Sequence, residues 1–589
     1  MQIARRVYLY LVTFISLQLV LSGAANLLRL LAEQALGTTQ NALLVASDYR
    51  REQFSLWGAV LLVGAPVWAI HWYLAQRGVA ATRPEAAQER RSVLRTLLIY
   101  AVLGVALWQV FFAFTNLVRA IVLAFSAAGT QTLRDTAGGA VAALLVYGSG
   151  WSYYWWVRNM DNAVAPETQG AATVRRWYFY LANYATLSVT MWATAQLTRH
   201  LWELLTTQST AVLSDNFTVP QRLASDVGWL LTGAALWTWH WLFVQRELAH
   251  AADEQHSALR KVYLYGVILQ TVAVTLTNLA LFGYKALQLL LGGNTRAGIG
   301  ADQSLLTAAG GPLLTAAVYG AFWGYHREAL NRDALLVAEQ PRQASIRRVY
   351  SYLVAAVGLA VLAGGAADLV RLLVDFWLGG QATIALTRSG WADQISLFVT
   401  LILVGAPVWV SEWLRIQRLA FAPAGEGERQ SLIRRIMLLL VLFSTVIALL
   451  ASAAVLVYQL LRNVGAALSG SASSDLSWAL GVSITAGALL AYHLRVLIDD
   501  QRARPAPPAA TPAVATGAAT LLIFIQGDTA ALTAAVAAAQ GALPAGSVVE
   551  TFAGDTVTAA ELRQWLEARP APRSAPAMPD KAATQPTHA

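Results

Sequence analysis

Long apolar runs alternate with short polar segments along most of the chain, from about residue 4 to residue 502. Twelve such runs can be distinguished, and each is close to the roughly 20 residues that a helix needs to cross about 30 Å of hydrocarbon. The pattern predicts an all-α polytopic membrane protein with twelve transmembrane helices in a membrane domain at residues 1–502. The composition agrees, because 57% of the residues are hydrophobic and 13% are charged.

The apolar runs also repeat in pairs. The stretch LVGAPVWAIHWYLAQR at residues 62–77 returns as LVGAPVWVSEWLRIQR at residues 403–418. Basic pairs recur every 85 to 87 residues, at Arg5/Arg6, Arg90/Arg91, Arg175/Arg176, Arg260/Lys261, Arg347/Arg348 and Arg434/Arg435. In the second unit, Arg95 aligns with Arg5 better than Arg90 does. A fixed period of this length indicates tandem units. The predicted units are six two-helix repeats at about residues 1–85, 86–170, 171–255, 256–342, 343–429 and 430–502.

Two spans per unit return the chain to the side on which the unit began. The repeats are therefore expected to be six tandem parallel helical hairpins, related by an axis along the membrane normal. Arg and Lys concentrate in the connections between units rather than in the loops within them. This bias places the connections and both termini in the cytoplasm. It also accounts for the net charge of +9, so no nucleic-acid partner is predicted.

Aromatic residues cluster near the end of the second helix of most units. They precede the basic connections by about one turn, which predicts an aromatic belt at the inner headgroup level. A cage for a cationic ligand is the alternative for the same side chains. The predicted belt consists of Trp68, Trp72, Trp155, Trp156, Trp239, Trp241, Trp409 and Trp413.

Charged residues recur at the opposite ends of the predicted hairpins. Helical rise places Arg371 and Asp393 at the same height, about 36 Å from their cytoplasmic markers. Similar counting predicts outer-face ion pairs Arg29 with Glu52, Arg119 with Asp135, and Arg371 with Asp393. An acid at the start of a helix also suits the helix dipole without any partner. A third interpretation is an anion-attracting vestibule formed by Arg29, Arg119, Arg199, Lys285 and Arg371.

The composition changes after Arg504. Residues 503–519 are rich in Pro and Ala, which predicts an extended linker. Within residues 520–569, the segments 520–526 and 547–552 have the composition of buried strands, and 528–543 and 558–569 have helical patterns. These segments predict a small cytoplasmic βαβα-like domain, followed by a disordered tail at residues 570–589.

Motifs of soluble catalysis are not found in the sequence. There is no cysteine, no HExxH and no phosphate-binding glycine loop. The segment HAADEQH at residues 250–256 matches no strong metal motif. Few polar side chains fall near the helix centres, Gln18 and Gln109 among them, although proton-coupled carriers usually need ionisable groups there. No enzyme, cofactor or metal site is predicted.

The recurring RRVYLYL…NLLR helix and the following W…HW…QR helix resemble a domain family of unknown function in bacterial multi-spanning membrane proteins. The resemblance covers about residues 4–502 and implies membrane residence, without an activity or site residues. Abundant Ala and a strong preference for Arg over Lys fit a GC-rich bacterial genome. The expected location is therefore the bacterial cytoplasmic membrane.

Two functions follow as hypotheses. The first is a non-enzymatic membrane scaffold or sensor that anchors the C-terminal module, with membrane lipids and a cytoplasmic protein as partners. The alternative is a transporter or channel for a small solute or lipid, suggested by the number of spans and the pseudo-symmetry. A water-accessible cavity reaching the middle of the membrane would favour transport. The oligomeric state is left open.

Overall fold

A computed structural model describes residues 2–36, 47–80, 86–125, 129–206, 219–250, 252–291, 305–336, 341–377, 388–423, 425–462 and 470–503, together with 534, 537 and 538. The chain divides into two compact units, Met1–Arg504 and Pro505–Ala589. In the second unit the three described residues are helical.

The described part of the first unit contains twelve helices of 31 to 38 residues, labelled here in chain order. They are α1 Gln2–Leu36, α2 Ser47–Gly78, α3 Val93–Leu123, α4 Gly129–Val164, α5 Gln169–Thr206, α6 Val219–His250, α7 Ala258–Leu290, α8 Leu305–Leu336, α9 Pro341–Trp377, α10 Arg388–Ala420, α11 Leu432–Arg462 and α12 Gly470–Arg502. Three short helices lie between them, at Ala86–Arg90, Ala252–Gln255 and Glu426–Arg429.

The prediction of twelve membrane spans is wrong. Within the described ranges, eight helices are long and apolar enough to cross a membrane, namely α1, α2, α3, α7, α9, α10, α11 and α12. The other four are long but richer in polar, glycine and aromatic side chains. In α5, for example, Asn183, Thr186 and Thr190 occupy buried positions. The sequence count treated every long run as a span, although such residues contribute much less hydropathy than Leu, Ile or Val.

The predicted βαβα domain is also corrected, because the residues that the structure describes contain helices and no β-strand. Residues 520–569 lie outside the described residues apart from Ala534, Ala537 and Ala538, which fall in the predicted helix 528–543. Residues 504–519 and the tail at 570–589 lie wholly outside the described residues.

Close glycine contacts hold the first two helices of each set of four together. Gly23 of α1 faces Leu61 of α2, and Gly64 of α2 faces Leu19 of α1, so these helices run antiparallel. The repeated LVGAPVW stretch supplies Gly64 and Gly405. A Cβ on Gly405 would lie 2.5 Å from the backbone nitrogen of Leu362 in α9. Only glycine permits this approach, and Gly233 plays the same role between α6 and Thr190 of α5.

The helices pack as three groups of four. In the first group, α1–α4, helix α1 packs on α2 and α4, and α3 packs on α4; the second group, α5–α8, and the third group, α9–α12, repeat this order. Helix α3 also packs on α5 and α6, and α7 packs on α9 and α10. The groups therefore follow one another in a row.

The apolar core is continuous through the first two groups. It extends from Tyr10 and Leu17 in α1 to Tyr319 in α8 and enters α9 at Val354. The third group has a smaller core of its own around Trp413 and Leu438. The third group is thus packed differently from the other two.

Candidate functional site

Buried charged residues meet at one end of the helices, where α1 begins and α2 ends; this end is called the charged end. In the first group, Arg95 of α3 donates from Nε to the Asp161 carboxylate of α4 at 2.7 Å and from Nη2 to Gln76 Oε1 at 3.0 Å. Its guanidinium lies 5.5 Å from the ring centroid of Trp72. The Arg95 side chain is 1% exposed.

The second group contains the same arrangement. Arg260 of α7 donates from Nε and Nη2 to the two oxygens of Asp333 in α8, at 2.7 and 2.9 Å. The guanidinium lies 5.6 Å from the Trp241 ring. Such a bidentate pair fixes direction as well as distance.

The third group completes the series. Arg434 of α11 donates to both oxygens of Asp500 in α12, at 2.6 and 2.9 Å, and to Gln417 Oε1 at 2.8 Å. It also donates to the Tyr352 hydroxyl at 3.2 Å. The guanidinium lies 5.9 Å from the Trp413 ring. These three assemblies are called the first, second and third lock.

Local sequence positions each lock arginine in the same way. A serine precedes the helix three residues before the arginine, in SVLR (92–95), SALR (257–260) and SLIR (431–434). Ser92 and Ser257 are N-cap residues with extended backbone, and Ser431 Oγ accepts from the Arg434 backbone N–H at 3.3 Å. Serine is a favoured N-cap. The arginine therefore falls in the first turn, facing the end of the preceding helix pair.

A glutamate in each short helix holds the basic pair that opens the group. Glu89 binds Arg6 at 2.7 Å and accepts from the Tyr10 hydroxyl at 2.6 Å. Glu254 binds Arg175 at 2.7 Å and Arg176 at 3.0 Å. Each assembly of a glutamate and its arginines is called a clasp.

The third clasp has a measurable electrostatic consequence. Glu428 binds Arg347 at 2.7 Å and Arg348 at 2.8 Å. Burial raises the pKa of the Glu428 carboxyl, but hydrogen bonds from Arg348 and Arg347 outweigh burial and hold the pKa below its ordinary value of 4.5. The carboxylate is therefore charged at neutral pH.

The predicted aromatic belt divides between core and surface. Trp72, Trp241 and Trp413 are buried beside the locks. Their indole nitrogens donate to tyrosine hydroxyls of Tyr153, Tyr325 and Tyr492 at 2.7, 2.7 and 2.6 Å, respectively. The cation over each of these rings is the protein's own lock arginine. A cage for an external cation has no free face at these three positions.

The other predicted belt residues vary in position. Trp68 donates to the Tyr154 hydroxyl at 3.3 Å, and Trp155 stacks on Trp151 at 5.3 Å. Trp409 lies 6.5 Å from Trp413. Trp156 and Trp239 are more exposed, at 56% and 38%. Among the eight, these last two present the largest surface toward the surroundings of the helices.

At the opposite end of the helices, called the hairpin end, the charged contacts differ from those predicted. Arg29 binds Glu33 of its own helix at 2.8 Å, rather than Glu52. Arg371 binds Asp368 at 3.3 Å, rather than Asp393.

The remaining predicted residues lie in other contacts. Asp393 accepts from Gln288 at 2.8 Å, and Asp135 accepts from Gln131 at 3.1 Å. Arg119 packs by its Cβ and backbone nitrogen against Gly228 of α6. Glu52 is exposed.

Sequence reasoning missed the lock aspartates and a buried pair in α5 and α6. His200 Nδ1 lies 2.6 Å from Asp226 Oδ2. Two recurrences in the sequence could have identified the locks. RRxYxY opens each group, at residues 5–10, 175–180 and 347–352, and SxxR opens its third helix. Treating all six basic pairs as equivalent concealed this alternation.

The fold and its three locks define a class: a polytopic α-helical protein built from consecutive four-helix groups, eight of whose described helices can cross a membrane. Three stretches of the chain, residues 6–149, 151–332 and 348–488, match the model of the domain of unknown function DUF5671. The matches cover most of the chain, which therefore belongs to the DUF5671 family. No curated protein and no solved structure matches it.

Proposed function

We propose that this protein is a non-enzymatic membrane scaffold or sensor whose helical unit anchors residues 505–589. The observation that carries the proposal is the use of charge at the charged end. The lock arginines and aspartates, and the clasp glutamates, bind partners within their own group. Side chains engaged in this way stabilise helix packing and are not positioned for acid–base or nucleophilic chemistry.

Dense packing between the helices supports a scaffold further. Leu103 of α3, Leu187 of α5 and Leu264 of α7 are each 0% exposed. A rigid body with interlocked side chains suits a structural role. In this proposal the protein lies in a bacterial cytoplasmic membrane with the charged end and both termini in the cytoplasm. Its partners are membrane lipids and a cytoplasmic protein, and it binds no nucleic acid.

One observation favours the alternative of transport. In the second group, Asn183 and His240 are both 0% exposed. Asn183 Oδ1 and His240 Nε2 have no hydrogen-bond partner among the described residues. Buried polar atoms of this kind occur along ion and substrate paths in membrane proteins.

Orientation can be tested by cysteine labelling, because the chain contains no cysteine. A single cysteine at Gln430, near the charged end, is expected to react with a membrane-impermeant maleimide only after the cells are opened. A cysteine at Asp215, in the connection between α5 and α6, is expected to react in intact cells. The reverse pattern would contradict the proposed orientation.

The functional proposal predicts a partner that depends on residues 505–589. Chemical cross-linking in native membranes is compared between the full chain and a chain ending at Arg504. A cytoplasmic protein cross-linked only to the full chain supports the scaffold. Proteoliposomes provide the opposing test: K⁺ or H⁺ flux above that of empty liposomes, lost in Asn183→Leu, would replace the scaffold by the transport alternative.

A further inference from the structure

The third group contains a recess that the first two groups fill. It lies among α9, α10, α11 and α12, directly beside the third lock, and its empty volume, including its open mouth, is about 290 Å³. Ala355, Ala356, Trp409, Met437 and His493 are among the residues that line it. Met437 is half-buried, so the recess reaches the surface beside α11.

Corresponding positions explain why the recess is confined to this group. Ala356 follows the lock tyrosine Tyr352 by four residues, as Phe14 follows Tyr10 and Tyr184 follows Tyr180. Phe14 packs against the main core. Two aromatic rings thus occupy the position at which the third group has a methyl group.

A second position shows the same difference. Met437 follows the lock arginine by three residues, as Leu98 follows Arg95 and Tyr263 follows Arg260. Leu98 and Tyr263 are each 4% exposed. Ala355 likewise stands where the other groups have Thr13 and Asn183, both 0% exposed. Smaller or more flexible side chains at several matched positions leave the space beside the third lock.

The lining determines which molecules fit. The rings of Trp409 and Trp413 are inclined by only 16° to each other, with centroids 6.5 Å apart. His493 Nδ1 lies 2.8 Å from the Leu489 carbonyl oxygen. A carbonyl can only accept, so Nδ1 carries the proton and Nε2 of the neutral ring is an acceptor. Arg434 lies over Trp413 and would repel a cation.

We infer that this recess binds a small uncharged aromatic molecule that carries one hydrogen-bond donor, such as a phenol. The aromatic body packs between indole rings and alanine methyl groups, and its hydroxyl donates to His493 Nε2. Apolar cavities of this kind in proteins take up single-ring aromatic molecules. The inference goes beyond a scaffold, since it gives the third group a ligand that the first two groups exclude by their side chains.

Methionine NMR tests the site in the unaltered protein. The chain has five methionines, so ¹³C-methyl labelling of the full chain in lipid nanodiscs gives a short set of resonances. Titration with 4-fluorophenol is expected to shift Met437 in a saturable manner. Met191, buried in the second group, and Met160, which is 46% exposed, are expected to stay in place. A Met437 resonance that does not move, or equal shifts at Met160 and Met191, would overturn the inference.

Two substitutions separate shape from hydrogen bonding. Ala356→Phe introduces the ring that the first group has at Phe14, and is expected to weaken 4-fluorophenol binding about tenfold or more because the space is filled. His493→Phe is expected to weaken 4-fluorophenol about five- to tenfold and to leave fluorobenzene, which has no donor, within about twofold. Binding is followed by ¹⁹F NMR.

The control keeps both results interpretable. Phe14→Ala removes the equivalent ring from the first group and leaves the third group untouched, so the Met437 shift and 4-fluorophenol affinity at that site should persist. Should Ala356→Phe fail to fold, Ala356→Val provides a smaller filling and is expected to give an intermediate loss. Unchanged affinity in folded Ala356→Phe, or parallel losses of 4-fluorophenol and fluorobenzene in His493→Phe, would contradict the proposed binding mode.

Discussion

The charged end and the hairpin end of the helices use ionisable residues differently. At the charged end, the same lock of arginine, aspartate, tryptophan and tyrosine occurs in all three groups. At the hairpin end, each group has its own contact: Arg29 with Glu33, His200 with Asp226, and Arg371 with Asp368. Repetition within one chain therefore identifies the charged end as the part that every group needs in order to fold.

Burial separates the two ends energetically. In the third lock, the Arg434 and Asp500 side chains are 0% and 8% exposed. At the hairpin end, the Arg29 side chain is 34% exposed. Removing one member of a buried ion pair leaves an uncompensated charge, whereas removing one member of an exposed pair exchanges it for water. Substitutions at the two ends should therefore differ severalfold in their effects on stability.

The largest effect is expected for Asp500→Ala. This change leaves the Arg434 guanidinium buried without its carboxylate, which should lower the free energy of unfolding by about 3–5 kcal/mol. Unfolding of the full chain in detergent micelles, followed by circular dichroism, measures the change.

The neighbouring residue supplies a matched control. Asp499 is 45% exposed and lies 3.9 Å from Arg495, so Asp499→Ala should alter stability by no more than about 0.5 kcal/mol. The double substitution Arg434→Met with Asp500→Leu should recover most of the loss, since well-packed apolar residues can replace a buried pair. Similar effects of Asp500→Ala and Asp499→Ala would remove the distinction between locks and surface pairs.

The buried pair of the second group is the exception at the hairpin end. Aligning the groups on the lock tyrosine and tryptophan places Leu372 and Phe398 of the third group where His200 and Asp226 stand. Both are buried, at 8% and 5% exposure. The same fold therefore accommodates apolar side chains at this position.

Exchange between the groups sharpens this comparison. His200→Leu alone leaves the Asp226 carboxylate buried without its imidazole partner and should cost about 2–4 kcal/mol of stability. Adding Asp226→Phe, which copies the third group, should restore stability to within about 1 kcal/mol of the original chain. The same micelle unfolding assay applies, and a double substitution as damaging as the single one would show that the pair itself is required.

Much of the helical architecture could be predicted from sequence, because apolar runs of about 20 residues are a strong periodic pattern. Helix positions near the basic pairs and the aromatic ends follow from it. The number of spans could not be predicted in this way. Helices such as α5 are buried between other helices, where Asn183 and Thr186 satisfy their donors on backbone carbonyls of the preceding turn. Neighbouring helices, rather than hydropathy, therefore stabilise α5.

The locks were within reach of the sequence only in part. RRxYxY and SxxR mark the arginines and tyrosines at fixed positions. The partner aspartates Asp161, Asp333 and Asp500 are 66, 73 and 66 residues beyond the lock arginines, and only helix packing brings them together. At the hairpin end, counting residues gave the right height for Arg371 but not its partner. Asp368 lies one turn away on the same helix, where contact needs no second helix.

The third clasp should produce a smaller effect that depends on pH. Glu428→Gln removes the charge that binds Arg347 and Arg348, and should cost about 1–2 kcal/mol at pH 7. The pKa of Glu428 is depressed in the folded protein, so the clasp stabilises the folded state fully above about pH 4.5. Its contribution is lost as the pH falls through the lowered pKa.

Comparison with a neighbouring glutamate isolates this effect. Glu426 lies in the same short helix, is exposed, and accepts from Gln430 at 2.7 Å. The stability of Glu426→Gln should follow that of the original chain at every pH. For Glu428→Gln, the difference from the original chain should shrink toward zero as the pH falls through the depressed pKa of Glu428. A difference that stays constant down to pH 3 would argue that packing, rather than charge, makes the clasp.

The smallest effect belongs to Arg29 at the hairpin end. Its side-chain stem packs on Gly139 of α4, where a Cβ would lie 3.2 Å from Arg29 Cδ, and only the guanidinium reaches Glu33. Arg29→Met keeps an unbranched stem and removes the charge, so it should change stability by about 0–1 kcal/mol, and by less in 0.5 M salt, which screens exposed charges. Arg29→Ala also removes the packing on Gly139 and should be the more damaging of the two at any salt concentration. If Arg29→Met were instead as destabilising as Asp500→Ala, the charge of Arg29 would matter as much as a buried lock, and the two ends of the helices could no longer be distinguished by burial.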